Sequence, residues 1–327
     1  MSDAAPADRI LAWLRSAAVP VSGEELARRL GVSRAAVHKH VEALRARGYG
    51  IDARPAAGYV LSQVPDRLDA NELLPHLTGR WRQIVWLAET DSTQRVAREL
   101  ARDGAAEGTT VIAEAQTAGR GRLGRTWHSP PGTNLYASVV LRPPLPPTGV
   151  APVALVTGLA VAEAVERTTG LAPRLKWPND VVLNDRKLAG ILTEMEAEVE
   201  RVHHVVVGIG VNLNVDAFPP DLADKATSLR LATGAPVARA PIVAALLAAL
   251  EARYERFVEG GFAPLRDAWT ARSWLDGKEV RVAGPDGEIA GRVLGVGDDG
   301  ALCLAAADGG VCRVVAGEVS LAGAYGA

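Results

Sequence analysis

The chain has 327 residues, 48% of them hydrophobic, and 36 Lys and Arg against 38 Asp and Glu leave a net charge of −2. That length allows two or three domains with real cores, and that charge excludes a general polyanion-binding surface. The polar start MSDAAPAD and the shortness of the longest purely apolar run, Ile242 to Leu250, predict a cytoplasmic protein with no signal peptide and no membrane contact.

Residues 8–18 (DRILAWLRSAA) predict a first helix with Ile10, Leu11 and Leu14 inward. Ser22-Gly23-Glu24-Glu25 is a capping box for a second helix ending near Leu30. Gly31-Val32 predicts a tight turn, and Ser33 caps a third helix running to Arg47, with Gly48 as its stop. Val37, Val41 and Leu44 fall at i, i+4 and i+7 and face inward, which leaves Ser33, Arg34, His38, Lys39 and Arg45 as the outer, DNA-facing set. Tyr49 to Asp52 and Tyr59 to Leu61 predict two strands around a wing. Helix, helix, tight turn, helix with a basic face is the winged helix-turn-helix pattern. Residues 1–62 carry nine Lys and Arg against six acids, a net of +3, so the remainder carries −5. Positive charge is thus concentrated where DNA contact needs it; the competing use is protein contact.

Ser62 to Pro65 reads as a linker. Trp86 to Thr90 predicts a strand, and Asp91 or Ser92 a cap for a helix from Thr93 to Asp103, which puts Ser92, Thr93 and Gln94 at a strand-to-helix corner. Thr109 to Ala113 is a second strand, followed by EAQTAGRGRLGRTW (114–127), with Gly119, Gly121 and Gly124 interleaved with Arg120, Arg122 and Arg125. Glycine permits close backbone approach and arginine suits carboxylates and phosphates, so this loop has reason to order around an anion. The glycines spell G-x-G-x-x-G, but Ser129-Pro130-Pro131-Gly132 forbids the following helix and the next acid is Glu163, so a dinucleotide fold is rejected. Further on come a strand over 134–141, a helix over 153–169 stopped by Gly170, and LKWPND (175–180) before 181–183. A turn at 184–186, strands over 187–195 and 205–213, and helices over 241–258 and 263–272 complete the unit. This spacing predicts an α+β unit with a mixed, mainly antiparallel sheet, built as a meander rather than βαβ units, with helices gathered on one side.

From Gly277, short runs at 278–283, 288–296, 301–306 and 311–315 alternate with turns at 284–287, 297–300 and 308–310, the texture of a small all-β, SH3-like barrel. Cys303 and Cys312 fall on neighbouring runs there and suit reduced thiols. Six scattered histidines and two cysteines give no metal spacing. The expected domains are 1–64, 65–272 and 273–327.

Four polar clusters share the middle domain: Ser92-Thr93-Gln94, Gln116 with Arg120 and Arg122, Lys176-Trp177-Pro178-Asn179-Asp180, and Lys187. Cations converging with amides and hydroxyls suit a carboxylate attacking an α-phosphate, with catalysis by positioning and charge. Lys176 is equally well read as a structural ion pair and stays outside the catalytic set.

SRAAVHKH (33–40), TDSTQ (90–94), QTAGRGRLGRTW (116–127), NLYASV (134–139), KWPNDVVLNDRKLAGILTE (176–194), GIGVNLN (208–214) and GEVSL (317–321) together resemble the bifunctional biotin–protein ligase and biotin operon repressor family. The resemblance implies biotin, ATP and Mg2+ as ligands and biotinyl-5′-AMP as intermediate. It also implies the biotin carboxyl carrier protein of acetyl-CoA carboxylase as acceptor, operator DNA as partner, repression of biotin synthesis genes and a ligand-promoted homodimer. By position it implies Ser92, Thr93 and Gln116 at biotin's polar groups, and Gly119, Arg120, Gly121 and Arg122 along its carboxylate and phosphate. Lys187 would pair with the carboxylate or acyl phosphate, Trp127 would lie beside adenine, and Asn179 and Asp180 would place nucleotide and metal. Gln94 stands where some relatives have asparagine. Catalysis is thereby assigned to Lys187, Arg122 and Arg120. The competing readings are a lipoate or octanoate protein ligase, whose catalytic domains are similar, and a ligand-sensing transcription factor without ligase activity.

Overall fold

Three helices and a hairpin make the first of the chain's two units, Met1–Asp66. The computed structural model describes residues 5–284, 287–306 and 310–321. α1 (Pro6–Ser16) begins and ends two residues before the expected bounds, because Pro6 fits a helix's first turn, where its missing N–H costs nothing. Ser22 Oγ accepts the Glu25 N–H at 3.1 Å to start α2 (Gly23–Leu30), which Gly31 closes at φ 71°. Ser33 Oγ accepts the Ala36 N–H and opens α3 (Arg34–Ala46). β1 (Gly50–Arg54) and β2 (Gly58–Gln63) pair antiparallel. Ile10, Leu14, Leu26, Val37, Val41, Leu44 and Ile51 form this unit's core. Ser33, Arg34, His38 and Lys39 are exposed as expected. Arg45 is not: it is half-buried, its Nε donates to the Ile51 carbonyl at 2.9 Å, and it pairs with Glu42 at 2.6 Å. It braces α3 against the hairpin, which corrects its expected place on the open face.

The second unit, Arg67–Ala327, runs through α4 (Ala70–Leu73), β3 (Ile84–Leu87), α5 (Thr93–Arg102), β4 (Thr110–Ala113), β5 (Leu135–Leu141), α6 (Val153–Thr169), β6 (Arg174–Lys176), β7 (Asp180–Leu183), β8 (Arg186–Ala197) and β9 (Val202–Val211). It continues with α7 (Leu229–Thr233), α8 (Arg239–Gly260), α9 (Ala263–Thr270) and the strands β10 (Glu279–Gly284), β11 (Gly287–Val296), β12 (Leu302–Ala305), β13 (Val311–Val314) and β14 (Glu318–Ser320).

One seven-stranded sheet runs β3-β4-β5-β9-β8-β7-β6. β6 to β9 pair antiparallel with their chain neighbours, the expected meander. β3 and β4 pair parallel across α5, so one βαβ unit does occur, a correction to the meander expectation. Period-two alternation then decides which helix covers which face. Ile112, Val139, Val205 and Val207 point into the main core with Leu159, Leu246 and Leu250 of α6 and α8. Val111, Val140 and Val206 point the other way and pack on Ala97 and Ala101 of α5. Helices therefore cover both faces, not one. Within 147–169, α6 and the turn before it, an 18-residue stretch has a mean hydropathy of 1.7 and is 72% buried inside the unit, as a core helix is.

The C-terminal strands form an antiparallel sheet in the order β13-β12-β11-β10-β14. Among the described residues β13 and β14 do not pair, so the expected closed barrel is not seen. Val282, Val293, Leu302 and Val319 of this sheet join the main core. The expected turns at Pro285-Asp286 and Asp308-Gly309 lie outside the described residues. Register pairs Cys303 with Arg313 and Cys312 with Leu304. The two thiols therefore point to opposite faces and stay free, as expected.

Candidate active site

The α5 face of the sheet is covered by a helix at one end and bare at the other. Beyond Val206 the inward positions of β9 are Gly208 and Gly210, and beside them on β8 lies Gly190. The glycines add no side chain of their own, so the Trp127 ring lies close against Gly190 and Gly210, and a cavity of about 680 Å3 opens beside it. A Cβ at Gly208 would stand 2.7 Å from Gln94 Oε1 and displace that amide from its hydrogen bonds. At Gly210 it would stand 2.4 Å from the Trp127 ring.

One wall is a row of amides and hydroxyls. Thr93 donates to Gln116 Oε1 through N–H at 2.9 Å and through Oγ1 at 3.2 Å. Thr93 Oγ1 meets Ser138 Oγ at 2.9 Å, Ser138 donates to Gln94 Oε1 at 3.0 Å, and Gln94 Nε2 donates to the Val206 carbonyl at 2.9 Å. Gln116 Nε2 continues the row to Ser129 Oγ at 3.1 Å. Gln94 is thus turned into the sheet. Ser92 is the N-cap residue of α5, yet its side chain makes no cap bond; the hydroxyl lines the cavity instead.

The glycine loop makes the opposite rim. Its own backbone closes it, with Gly121 N–H on the Arg125 carbonyl at 2.7 Å and Trp127 N–H on the Gly119 carbonyl at 2.9 Å. Gly119 is the one expected ligand residue that does not line the cavity; a Cβ there would come within 2.7 Å of both Ser129 Oγ and the Trp127 carbonyl. Leu123 takes the left-handed φ of 55° with Gly124 at 73° beside it. The loop's arginines have different fates. Arg120 is exposed. Arg125 pairs with Glu318 at 2.6 Å. Arg122 is half-buried and donates to Asn179 Oδ1 at 3.0 Å and to the Gly317 carbonyl at 3.2 Å; burial holds its pKa below the usual arginine value.

Lys187 completes the cation set. Its Nζ lies 2.6 Å from Asp180 Oδ1 and 5.5 Å from the Trp127 ring centre. The segment before α7 is laced to it: Lys187 N–H donates to the Lys225 carbonyl at 2.8 Å and Thr227 N–H to the Lys187 carbonyl at 2.9 Å. That lacing brings Phe218 and Leu222 to the cavity wall. Lys176 lines the cavity as well, 6% exposed, and burial pushes its ammonium down to about 8 against the pull of Asp180.

Ser92, Thr93, Gln94, Gln116, Arg120, Gly121, Arg122, Trp127, Asn179, Asp180 and Lys187 all meet at this one cavity. Sequence reasoning left out Ser138, Tyr136, the floor glycines, Phe218 and Glu318, and kept Lys176 outside the catalytic set. The floor had a legible signal in GIG (208–210), where glycine alternates at strand period.

The Biotin/lipoate A/B protein ligase family model matches residues 86–212, an HTH domain model matches 7–60, and the Biotin protein ligase C terminal domain model matches 277–322. The bifunctional ligase/repressor BirA of Bacillus subtilis (strain 168) is 37% identical over 305 residues, covering 92% of this chain and 94% of that relative. BirA of Escherichia coli (strain K12) is 35% identical over 301 residues, with 92% of each chain covered. A solved structure of biotin protein ligase from Aquifex aeolicus in complex with biotin and ATP is similar at a TM-score of 0.65 and 32% identity, covering 73% of this chain and 98% of that one. With three matching domains and relatives similar along nearly their full length, the chain belongs to the biotin/lipoate A/B protein ligase family, beside its bifunctional ligase/repressors.

Proposed function

We propose that the chain is an ATP-dependent biotin–protein ligase that forms biotinyl-5′-AMP and passes the biotinyl group to a lysine of the biotin carboxyl carrier protein. The observation that carries this reading is one cavity with an amide and hydroxyl row at one end and Arg122 and Lys187 at the other. The row suits a neutral ureido ring, and the cations suit the carboxylate and α-phosphate. In adenylation a carboxylate oxygen bonds to the α-phosphorus as the bond to pyrophosphate breaks. Arg120, Arg122 and Lys187 offset the negative charge gathered there, while Gly121 lets the backbone approach. In transfer, the lysine nitrogen bonds to the acyl carbon and AMP leaves with the electron pair of the broken C–O bond. Mg2+ would arrive with the nucleotide. Among the described residues no three His, Cys, Asp or Glu side chains gather to hold a metal, so phosphate oxygens and water would supply most ligands, with Asp180 the carboxylate at hand.

The first unit fits operator DNA through Ser33, Arg34, His38 and Lys39, with the β1–β2 hairpin as wing and Arg45 as its brace. The division of labour follows 1–64, 65–272 and 273–327, and the adenylate would promote the dimer that represses biotin synthesis genes. The test is incubation with ATP, magnesium, biotin and apo carrier protein. A biotin mass shift on the carrier is expected; no shift, with no biotin-dependent ATP–pyrophosphate exchange, overturns the ligase reading.

A further inference from the structure

The acceptor in the second half-reaction is a lysine, an ammonium at neutral pH, and it has to reach a site rimmed by arginines. A second cavity of about 430 Å3 adjoins the first across the glycine loop, lined by Arg120, Gly121, Arg122, Leu123, Gly124, Arg125, Leu192 and one acid, Glu194. Arg120, Gly121, Arg122, Arg125 and Leu192 border both cavities. Gly190, Leu192 and Glu194 are successive inward positions of β8, so the strand runs from the floor of the first cavity to the carboxylate in the second.

Three acids lie close to these loop arginines, and two are neutralised at short range. Asp180 is 2.6 Å from Lys187 and Glu318 is 2.6 Å from Arg125. Glu194 is held loosely: Oε1 is 3.6 Å from Arg98 Nη1, and Oε2 is buried with no hydrogen-bond partner. A buried carboxylate oxygen left unpaired carries a desolvation cost and calls for an explanation. Asp221, at the wall of the first cavity, is exposed and does not reach the second.

We propose that Glu194 receives the ε-ammonium of the acceptor lysine, giving a cation a place to dock inside an arginine rim that otherwise repels it. The inference rests on the ligase reading and adds a residue that acts only on the acceptor. The docked nitrogen loses one proton to water before attack and a second as the amide forms. It bonds to the acyl carbon, the C–O bond to phosphate breaks, and AMP departs with that electron pair.

The experiment separates acceptors by charge on the full-length protein. Preformed biotinyl-AMP on the enzyme is consumed either by apo carrier protein or by hydroxylamine, a neutral amine. For Glu194→Gln, kcat/KM toward the carrier is expected to fall about tenfold, mainly through KM, since a charge-assisted contact is lost. Consumption by hydroxylamine is expected to stay within about twofold, because no cation needs docking. Glu194→Asp, which keeps the charge, should recover part of the carrier rate and guards against misfolding of the glutamine variant. Equal loss with both acceptors, or no loss with the carrier, overturns the role of Glu194. Failure of the wild-type protein to exchange pyrophosphate with biotin would instead overturn the ligase reading, so the two failures are distinct.

Discussion

Lys187→Ala tests the catalytic assignment most sharply, because the structure gives this side chain two separable duties. Its Nζ neutralises Asp180 at 2.6 Å and stands at the cavity where the glycine loop closes. The side chains of the pair are 27% and 14% exposed, so losing the ion pair should cost on the order of 1–3 kcal/mol of stability, between the exposed and the buried limits. A charge placed in advance where negative charge builds up is worth more, roughly 10²–10³ in rate or about 3–4 kcal/mol of barrier. Affinity for preformed biotinyl-AMP should fall far less, about tenfold, since it reports a contact rather than charge development. The assay pairs biotin-dependent ATP–pyrophosphate exchange with direct binding of biotinyl-AMP. Asp180→Asn, alone and combined, removes the unpaired carboxylate and isolates the pair's coupling. Turnover within about threefold of wild type, under ~1 kcal/mol of barrier, refutes the assignment. So does an equal fall in rate and affinity, because that marks uniform binding.

Four further outcomes follow from other residues. The ammonium of Lys176 titrates near 8 in the folded chain against an ordinary 10.5, so between those pH values the unfolded chain binds more protons and stability rises with pH. Lys176→Met should therefore be more stable than wild type at pH 7, by about 3 kcal/mol, with the advantage shrinking toward pH 10.5; parallel stability–pH profiles would exclude this. Arg239 is 1% exposed, pairs with Glu114 at 2.9 Å and donates to the Asn134 carbonyl at 3.1 Å, so Arg239→Ala should cost ~3–5 kcal/mol in denaturant unfolding. A loss under ~1 kcal/mol would show that water replaces the guanidinium. Removing residues 1–64 should abolish operator binding and leave ligase activity, and a truncated protein that still shifts operator DNA defeats that division. Trypsin should first nick the empty loop at exposed Arg120, and biotin with ATP should slow nicking and raise the sedimenting mass together; protection without a change in assembly sinks the link between loop and dimer.

How much of this was legible depends on the distance over which each decision is made. Ser22, Ser33, Gly31 and Gly170 act within a turn of their own helices, and those termini followed from the sequence. The parallel pairing of β3 and β4 did not, since α5 intervenes and strand patterning does not carry direction. Nor did Arg45, whose exposure was inferred from helical spacing alone while its partner, Ile51, lies on the hairpin. The site clusters were legible as chemistry, yet their support was not. Glu114 accepts from Leu68 N–H, Trp86 Nε1 and Arg239, positions distant in sequence, and that network holds the start of the glycine loop. Lys176 was left open between structure and site, and it both lines the cavity and is buried, because β6 ends where the pocket begins.

The glycine loop shows why composition alone misjudges the cost of order. Three glycines and three arginines imply a segment that only a bound anion can hold, at ~1–2 kcal/mol of backbone entropy per residue. In the fold that cost is already offset in part. Arg122 gives up solvent, which disfavours its charge, and gains Asn179 and the Gly317 carbonyl in return. Asn179 is itself fixed by donating from Nδ2 to the Ile191 carbonyl at 2.9 Å, so the anchor is rigid backbone of β8. Arg125 is tied to Glu318. Only the Arg120 side chain and the tip at Leu123, 73% exposed with a left-handed backbone, stand outside these ties. An anion entering the cavity therefore meets one guanidinium already in place and one still to be recruited. The backbone at Arg120 is already bridged to Thr126, so the ordering left for the anion to drive is confined to the Arg120 side chain and the tip at Leu123, and whatever that ordering contributes to assembly must come from there rather than from the whole loop.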